Sequence, residues 1–297
     1  MPVTYTPLRY PGGKNILSGY LRDLIRLNGL KDPVYAEPYC GGGGAALNLL
    51  LNEHVSEVHL NDLDPAVYAF WRACLHGTDD LCRRIERVPL TMAEWRRQRA
   101  VLVKPRGQRI ADLGFATLFL NRTNRSGILL GGVIGGKEQT GPWRIDARFN
   151  RADLVNKVRQ LARFRARIHI SRLDALDFLE RSSKTFTPNS LTYVDPPYVA
   201  QGSSLYQNHY DEADHRAIAA ALKRSRTPWV ASYDNCALIR ELYRDFTHHT
   251  YSLRYSAHQH HQGKEIVVLS PLLAEPRYRS PVLAERSRVC IAKRIAS

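Results

Sequence analysis

"VYAEPYCGGGGAALNLLLNEHVSEVHLND", residues 34–62, decides the fold. VYAE (34–37) has strand character and runs into a proline and then four glycines. Residues 45–51 read as a helix and EVHLND (57–62) as a second strand. Proline withholds a ladder donor, and glycine opens backbone conformations closed to other residues, so the first strand ends at a tight turn. Strand, glycine turn, helix and strand make a βαβ unit, whose strands run parallel.

Upstream, Ile16, Leu17, Tyr20, Leu21, Leu24 and Ile25 recur at helical spacing, with Gly29 as a stop. A helix is expected from Pro65 to about Leu75. The alternation resumes late in the chain. RIHIS (167–171), SLTYV (190–194) and WVASY (229–233) read as strands, with helices at 174–180, 213–222 and 237–243. HTYSLRY (249–255) and EIVVLS (265–270) complete the series. The middle differs. Thr91 and Glu94 form a capping-box pattern before an arginine-rich helix, and residues 112–121 and 152–164 read as further helices. Residues 126–144 are glycine-rich with alternating apolar positions, which predicts a hairpin or loop. The expected architecture is α/β, a doubly wound sheet interrupted by a mainly helical insert that carries this hairpin or loop. Its boundaries fall at 1–72 and 168–275 for the sheet domain and 73–167 for the insert, with a basic helix or tail over 276–297.

Charge marks the insert independently. Of the net +15 over 297 residues, residues 72–172 carry 22 Lys/Arg against 8 Asp/Glu. Residues 1–71 carry 5 against 7, and residues 173–297 carry 16 against 13. A solvated surface is usually mixed in sign, so this concentration points to a polyanion, most simply nucleic acid. The cysteines (Cys40, Cys74, Cys82, Cys236, Cys290) are odd in number and show no C-x-x-C spacing, so reduced thiols are expected. The histidines at 258, 260 and 261, with 248 and 249 nearby, cluster as the ligands of a metal site would, but no acid or cysteine accompanies them at ligand spacing, so a solvated loop is the better reading and no metal is expected. The first residues lack the apolar core of a signal peptide, which predicts a cytoplasmic protein.

AEPYCGGGG (36–44) would let a ligand approach amides at a helix N-terminus, and Asp62 at the end of the next strand could take ribose hydroxyls. Alternatively, Asp62 only caps the helix beginning near Pro65. No second glycine fingerprint supplies the other half of a dinucleotide site, and YPGGK (10–14) lacks the spacing of a phosphate-binding Walker loop. S-adenosyl-L-methionine needs one nucleotide half, and it fits. In YVDPPY (193–198) a strand ends in an acid held by two prolines. An exocyclic amine has its lone pair delocalised into the ring. Asp195 and the carbonyl of Pro196, accepting both amine hydrogens, would draw that pair out, with Pro197 stiffening the turn. Tyr198 offers a face for a flipped base. The competing reading is a turn of purely structural purpose.

RYPGGK, AEPYCGGGG, NDLD, LFLNRTNRSG and YVDPPY, in this order and covering most of residues 7–270, resemble the DNA adenine methylase (Dam-type) family. The resemblance implies a Rossmann-like methyltransferase domain binding S-adenosylmethionine, an inserted DNA-recognition subdomain, and N6-adenine methylation of double-stranded DNA. It implies that Tyr10 and Lys14 lie by the cofactor and the target base. By the same resemblance, Glu37, Pro38, Tyr39, Gly41, Gly43, Asp62 and Asp174 line the cofactor pocket, and Asp195, Pro196, Pro197 and Tyr198 are catalytic. Recognition would fall to NRTNRSGILLGG (121–132) and the following loop, with Asn121, Arg122, Asn124 and Arg125 as DNA-contacting candidates, although Asn121 and Arg122 read equally as structural residues of a helix end; the insert's charge adds Lys137 and Arg144 as phosphate contacts. The chain departs from the family at Ser126-Gly127, where Asn-Gly is usual, and in the apolar and glycine run that replaces a following arginine. The family's usual GATC target is therefore not carried over. Rival readings are methylation of RNA or of a protein glutamine, and an inactive DNA-binding regulator.

Overall fold

The computed structural model describes residues 4–9, 17–199, 210–254 and 262–276. Tyr10, Lys14, the histidines at 258, 260 and 261, Cys290 and residues 277–297 of the tail lie outside them. The chain divides into two compact units, Met1–Thr4 with Lys14–Asn61 and Leu173–Ser297, and Tyr5–Gly13 with Asp62–Arg172.

The first unit holds six strands: β1 (Val34–Glu37), β2 (Glu57–Asn61), β4 (Ser190–Val194), β5 (Trp229–Asp234), β6 (His248–Arg254) and β7 (Gln262–Leu269). Their order is β2-β1-β4-β5-β7-β6. β1 pairs parallel with both β2 and β4, and β4 pairs parallel with β5. β7 runs antiparallel between β5 and β6. All five residues of β4 are buried, as expected of a parallel strand covered on both faces. The strand order reverses between β1 and β4. In a doubly wound sheet a ligand lies outside the carboxyl ends of the strands at that point.

Helix α1 (Ser18–Leu27) buries Tyr20, Leu21, Leu24 and Ile25, and the chain leaves it through Gly29 at φ 63°. Helix α2 (Gly44–Leu51) follows the glycine run directly. Helices α8 (Ala175–Thr185), α9 (Glu212–Lys223) and α10 (Ala237–Leu242) fill the later crossovers. α8 runs five residues past its expected end, because Ser182 buries one more turn of the same face.

The second unit holds β3 (Ile168–Ser171) and the helices α3 (Pro65–His76), α4 (Thr78–Arg87), α5 (Met92–Val103), α6 (Ile110–Thr123) and α7 (Arg151–Arg163). The units part at Asn61/Asp62, whereas the sequence pattern placed the boundary after residue 72. The reason is the packing of α3 on α6. A Cβ at Gly114 would lie 2.5 Å from the Ala69 carbonyl oxygen and 2.8 Å from the Ala73 Cβ. Only glycine lets the two backbones approach so closely, and Thr117 Oγ1 donates to the Ala66 carbonyl at 3.1 Å beside it. Helix α4 was not legible from sequence, since it buries only Leu81, Cys82 and Ile85 among charged residues.

Residues 126–144 form no hairpin. A single bridge joins Asn124 to Val133, and turns follow it. Side-chain amides, described below, replace the missing ladder. Among the described residues no helix is long and apolar enough to cross a membrane.

Candidate active site at the carboxyl ends of the central strands

Glu37 ends β1 and is buried. Its Oε1 accepts from the Tyr35 hydroxyl at 3.0 Å and from the Ala46 amide, in the first turn of α2, at 3.1 Å. Burial pushes its carboxyl up to about 8; the two hydrogen bonds oppose that shift and the negative Asp195 adds to it. The turn after it depends on Gly41 at φ 44° and Gly43 at φ 59°, conformations an L side chain adopts only under strain. Gly43 is the N-cap of α2 and brings no side-chain cap, which leaves backbone alone at that helix end.

Asn61, the last residue of β2, is fully buried and was missed from sequence. Its Nδ2 donates to the carbonyls of Pro38 and Leu173, each at 3.0 Å, and its Oδ1 accepts from the Leu173 amide at 2.9 Å. Cys40 N closes the clamp on the Asn61 carbonyl at 2.8 Å. One asparagine thus ties the glycine turn to the residue before Asp174. Asp174 is itself the N-cap of α8, accepting from Leu176 N at 2.8 Å. It lies close enough to Tyr39 to raise that hydroxyl, though burial is the larger cause. Tyr39 is half-buried, and its hydroxyl donates to that of Tyr210 at 3.1 Å.

Asp62 follows β2 and falls in the second unit. It does not cap α3; Asp64 does, accepting from Ala66 N at 2.8 Å. Asp62 Oδ1 accepts from Asp64 N at 3.0 Å in the turn before that cap.

The β4–β5 register sets Val194 opposite Ala231, so the next residue along each strand, Asp195 and Ser232, come level. Ser232 Oγ donates to Asp195 Oδ1 at 2.7 Å, and the Tyr193 hydroxyl lies 2.7 Å from Ser232 Oγ. Beyond the two prolines, Val199 N donates to Asp234 Oδ1 at 3.0 Å. The Tyr198 hydroxyl donates to Glu265 Oε1, and Glu265 Oε2 accepts from the Tyr251 hydroxyl at 2.6 Å. Glu265 is buried on β7, opposite Asp234 in the ladder. Burial, then the negative Asp195 and Glu265, hold the Tyr198 hydroxyl far above its ordinary value, so it stays a donor. The acid and ring of the motif are therefore fixed from β4, β5 and β7 together. None of Ser232, Tyr193, Glu265 or Tyr251 had been singled out in the sequence.

In the second unit the candidate residues separate into two groups. Asn121 and Asn124 are fully buried. Asn121 Nδ2 donates to the carbonyls of Arg9 (2.7 Å) and Gly127 (2.9 Å), and its Oδ1 accepts from Arg9 N at 2.7 Å. Asn124 Nδ2 donates to the carbonyls of Ile128 (2.9 Å) and Leu129 (2.8 Å), and its Oδ1 accepts from the Trp95 indole at 2.7 Å. Each carboxamide spends both donor hydrogens inside the protein, so each ties the loop to its surroundings. Arg122 is half-buried, with Nε on the Pro7 carbonyl at 2.6 Å. Burial, with Arg9 next, lowers it to about 10, a value at which it remains charged at neutral pH. Arg125, Lys137 and Arg144 are exposed, as is Trp143 beside the last.

The fold and site define a class: a doubly wound α/β protein with a glycine turn after β1, an acid-Pro-Pro-Tyr corner after β4 and a basic helical insert. A family model for D12 class N6 adenine-specific DNA methyltransferases matches residues 10–257, and the chain belongs to that family. It is also similar to the retron Ec67 DNA adenine methylase of Escherichia coli, with 32% identity over 87 residues. That match spans 27% of this chain and 30% of the relative's length. A solved structure, the rRNA methyltransferase aviRa of Streptomyces viridochromogenes, aligns over 84% of this chain and 81% of its own at 13% identity, with a TM-score of 0.35.

Proposed function

We propose that this protein transfers a methyl group from S-adenosylmethionine to the N6 amine of adenine in double-stranded DNA, at a short specific site. One observation carries the reading: Asp195, the acceptor, stands at the end of β4 beside the glycine turn of β1, at the point where the strand order reverses. Family membership supports the same chemistry.

The residues of the first unit fit this cofactor. Gly41 and Gly43 remove side chains from the turn that a nucleotide would approach, and Glu37, Pro38 and Tyr39 surround it. Asp174 follows Leu173 on the other side of the Asn61 clamp and is assigned to the adenine, and Asp62 is assigned to the ribose. Tyr10 and Lys14 are assigned to cofactor and target base from sequence alone. When bound, the cofactor supplies an electrophilic methyl group on a sulfonium. The protein's part is to hold the nucleophile. Asp195 and the carbonyl of Pro196 accept the two amine hydrogens, which returns lone-pair density to the nitrogen as it reacts. Tyr198, locked through Glu265, stacks on the flipped base. Arg125, Lys137 and Arg144 contact the duplex, and Arg122, charged and bonded to the Pro7 carbonyl, adds to the positive potential of the insert.

Transfer of a tritiated methyl group offered to duplex DNA, RNA and a glutamine-bearing protein tests this directly. Label on adenine of DNA alone is expected. Label on RNA or protein, or none on any substrate, would replace the reading with one of its rivals.

A further inference from the structure

We infer that Ser232, with Tyr193 behind it, is a positioning residue that sets the direction of the Asp195 carboxylate. This rests on the proposed amine-methylating site and adds two residues that neither the motif nor the family match assigns.

The argument follows the protons. An ionised carboxylate only accepts, so the 2.7 Å contact between Ser232 Oγ and Asp195 Oδ1 uses the one hydrogen that a serine hydroxyl has. The 2.7 Å contact between Ser232 Oγ and the Tyr193 hydroxyl then has a single solution: tyrosine donates and serine accepts. The result is a directed chain from Tyr193 to Ser232 to Asp195, with no rotor left to choose. Tyr193 and Ser232 are both buried, Ser232 completely, so water does not compete for the bond between them.

Burial alone does not account for this arrangement. A serine in an apolar strand can satisfy its hydroxyl on a neighbouring carbonyl, at no cost to function. Here the hydroxyl is spent on the acceptor of the reaction. Two strands supply the parts. Tyr193 precedes Asp195 by two residues on β4, so its side chain lies on the same face, and the β4–β5 register brings Ser232 level with the acid. Anchoring one carboxylate oxygen fixes the carboxylate plane, and with it the angle at which Asp195 meets an amine. Without this bond the carboxylate would have more freedom about χ2 and would hold that angle for less of the time.

The test uses the full-length protein and single-turnover methyl transfer to DNA, with cofactor affinity by calorimetry and the KM for DNA measured alongside. Wild-type transfer to adenine in the same assay establishes the underlying reading first; with no transfer, that reading and this inference both fall. With wild type active, Ser232→Ala is expected to lower the transfer rate about tenfold or more, while cofactor affinity and KM stay within about twofold. Tyr193→Phe, which removes only an oxygen, is expected to lower the rate severalfold. Because Tyr193 acts through Ser232, the double variant should be no slower than Ser232→Ala alone. Wild-type rates in Ser232→Ala, a loss appearing in KM and affinity instead of rate, or losses that multiply in the double variant would each overturn the inference. Should Ser232→Ala fail to fold, Tyr193→Phe decides: a severalfold slower rate at unchanged KM supports the chain, and an unchanged rate removes it.

Discussion

The two units use buried polar side chains for opposite ends. In the first, Tyr35 bonds to Glu37, Ser232 to Asp195 and Tyr198 to Glu265, all at strand ends, and the groups so fixed are the ones a ligand would meet. In the second, Asn121, Asn124 and Trp95 bond mainly to backbone, and what they fix is a loop. Charge follows the same division: the second unit's exposed cations stand outside a neutral amide framework. A polar residue beside a conspicuous motif is therefore a chemical group in one unit and a structural tie in the other.

The largest expected effect would break the comparison at its strongest point. Asp195→Ala should slow single-turnover transfer by about 10²–10³-fold, as loss of one transition-state hydrogen-bond partner does elsewhere. Cofactor affinity should hold within about twofold. A rate within about threefold of wild type would remove Asp195 from the site. Next are the amide ties. Asn121→Ala and Asn124→Ala should each lower stability by about 2–3 kcal/mol, because three partners are left buried and unpaired. Denaturant midpoints check this; a folded Asn124→Ala protein with altered sequence preference and undiminished stability would return that residue to base reading.

Glu37 sharpens the contrast through pH. Its carboxyl lies near 8 in the folded state against 4.5 unfolded, so folding favours the protonated form. Its contribution is fully present below about 4.5 and is lost as pH rises to about 8, at a slope approaching 1.4 kcal/mol per pH unit. In the cofactor-free protein Glu37→Gln keeps a carbonyl for Tyr35 and Ala46 and should abolish that slope. Parallel stability curves for wild type and variant between pH 5 and 8 would show that the acid titrates normally.

Two smaller effects separate neighbours. Asp64→Ala should cost about 1 kcal/mol as the loss of an N-cap. Asp62→Ala should weaken cofactor binding with little change in melting temperature, and the reverse pattern in calorimetry would exchange their roles. Finally, Lys137→Ala and Arg144→Ala should each reduce the salt-dependence slope of DNA binding by about one, for specific and unrelated duplexes alike. An unchanged slope would mean that these cations never meet phosphate.

How much of this was legible in sequence varied with the kind of interaction. The strands were, because parallel buried strands are short apolar runs punctuated by glycine and proline; 34–37 and 190–194 are read to the residue. The corner at Asp195 was legible because its chemistry is local to four residues. Asn121 and Asn124 stood out in the NRTNRSG run, but the ties they make did not, since sequence does not distinguish an amide facing solvent from one folded inward. Ser232 and Glu265 left only a faint signal, a polar residue in an otherwise apolar run (WVASYD, EIVVL), and their partners lie 37 and 67 positions away. Register supplies such pairs, and a single strand does not contain it. The absent hairpin has the same origin: alternation at 126–144 predicted a hairpin or loop, and side chains from α5 and α6 took hydrogen bonds of that run, Arg99 at the carbonyls of Leu130 and Gly131 and Asn121 at that of Gly127.

Gly127 has a bearing on how new target preferences can arise. Its φ is +77°, and a Cβ there would lie 2.2 Å from the Arg9 carbonyl oxygen, the same oxygen that Asn121 holds. The proposed recognition loop is thus mated to a segment more than a hundred positions earlier in the chain. Loops exchanged between relatives by recombination, or drawn from a randomised library, will succeed when residues 7–9 travel with them or already match. Variation inside the loop will be found on either side of position 127, with that position itself held constant by selection for folding rather than for any one DNA sequence.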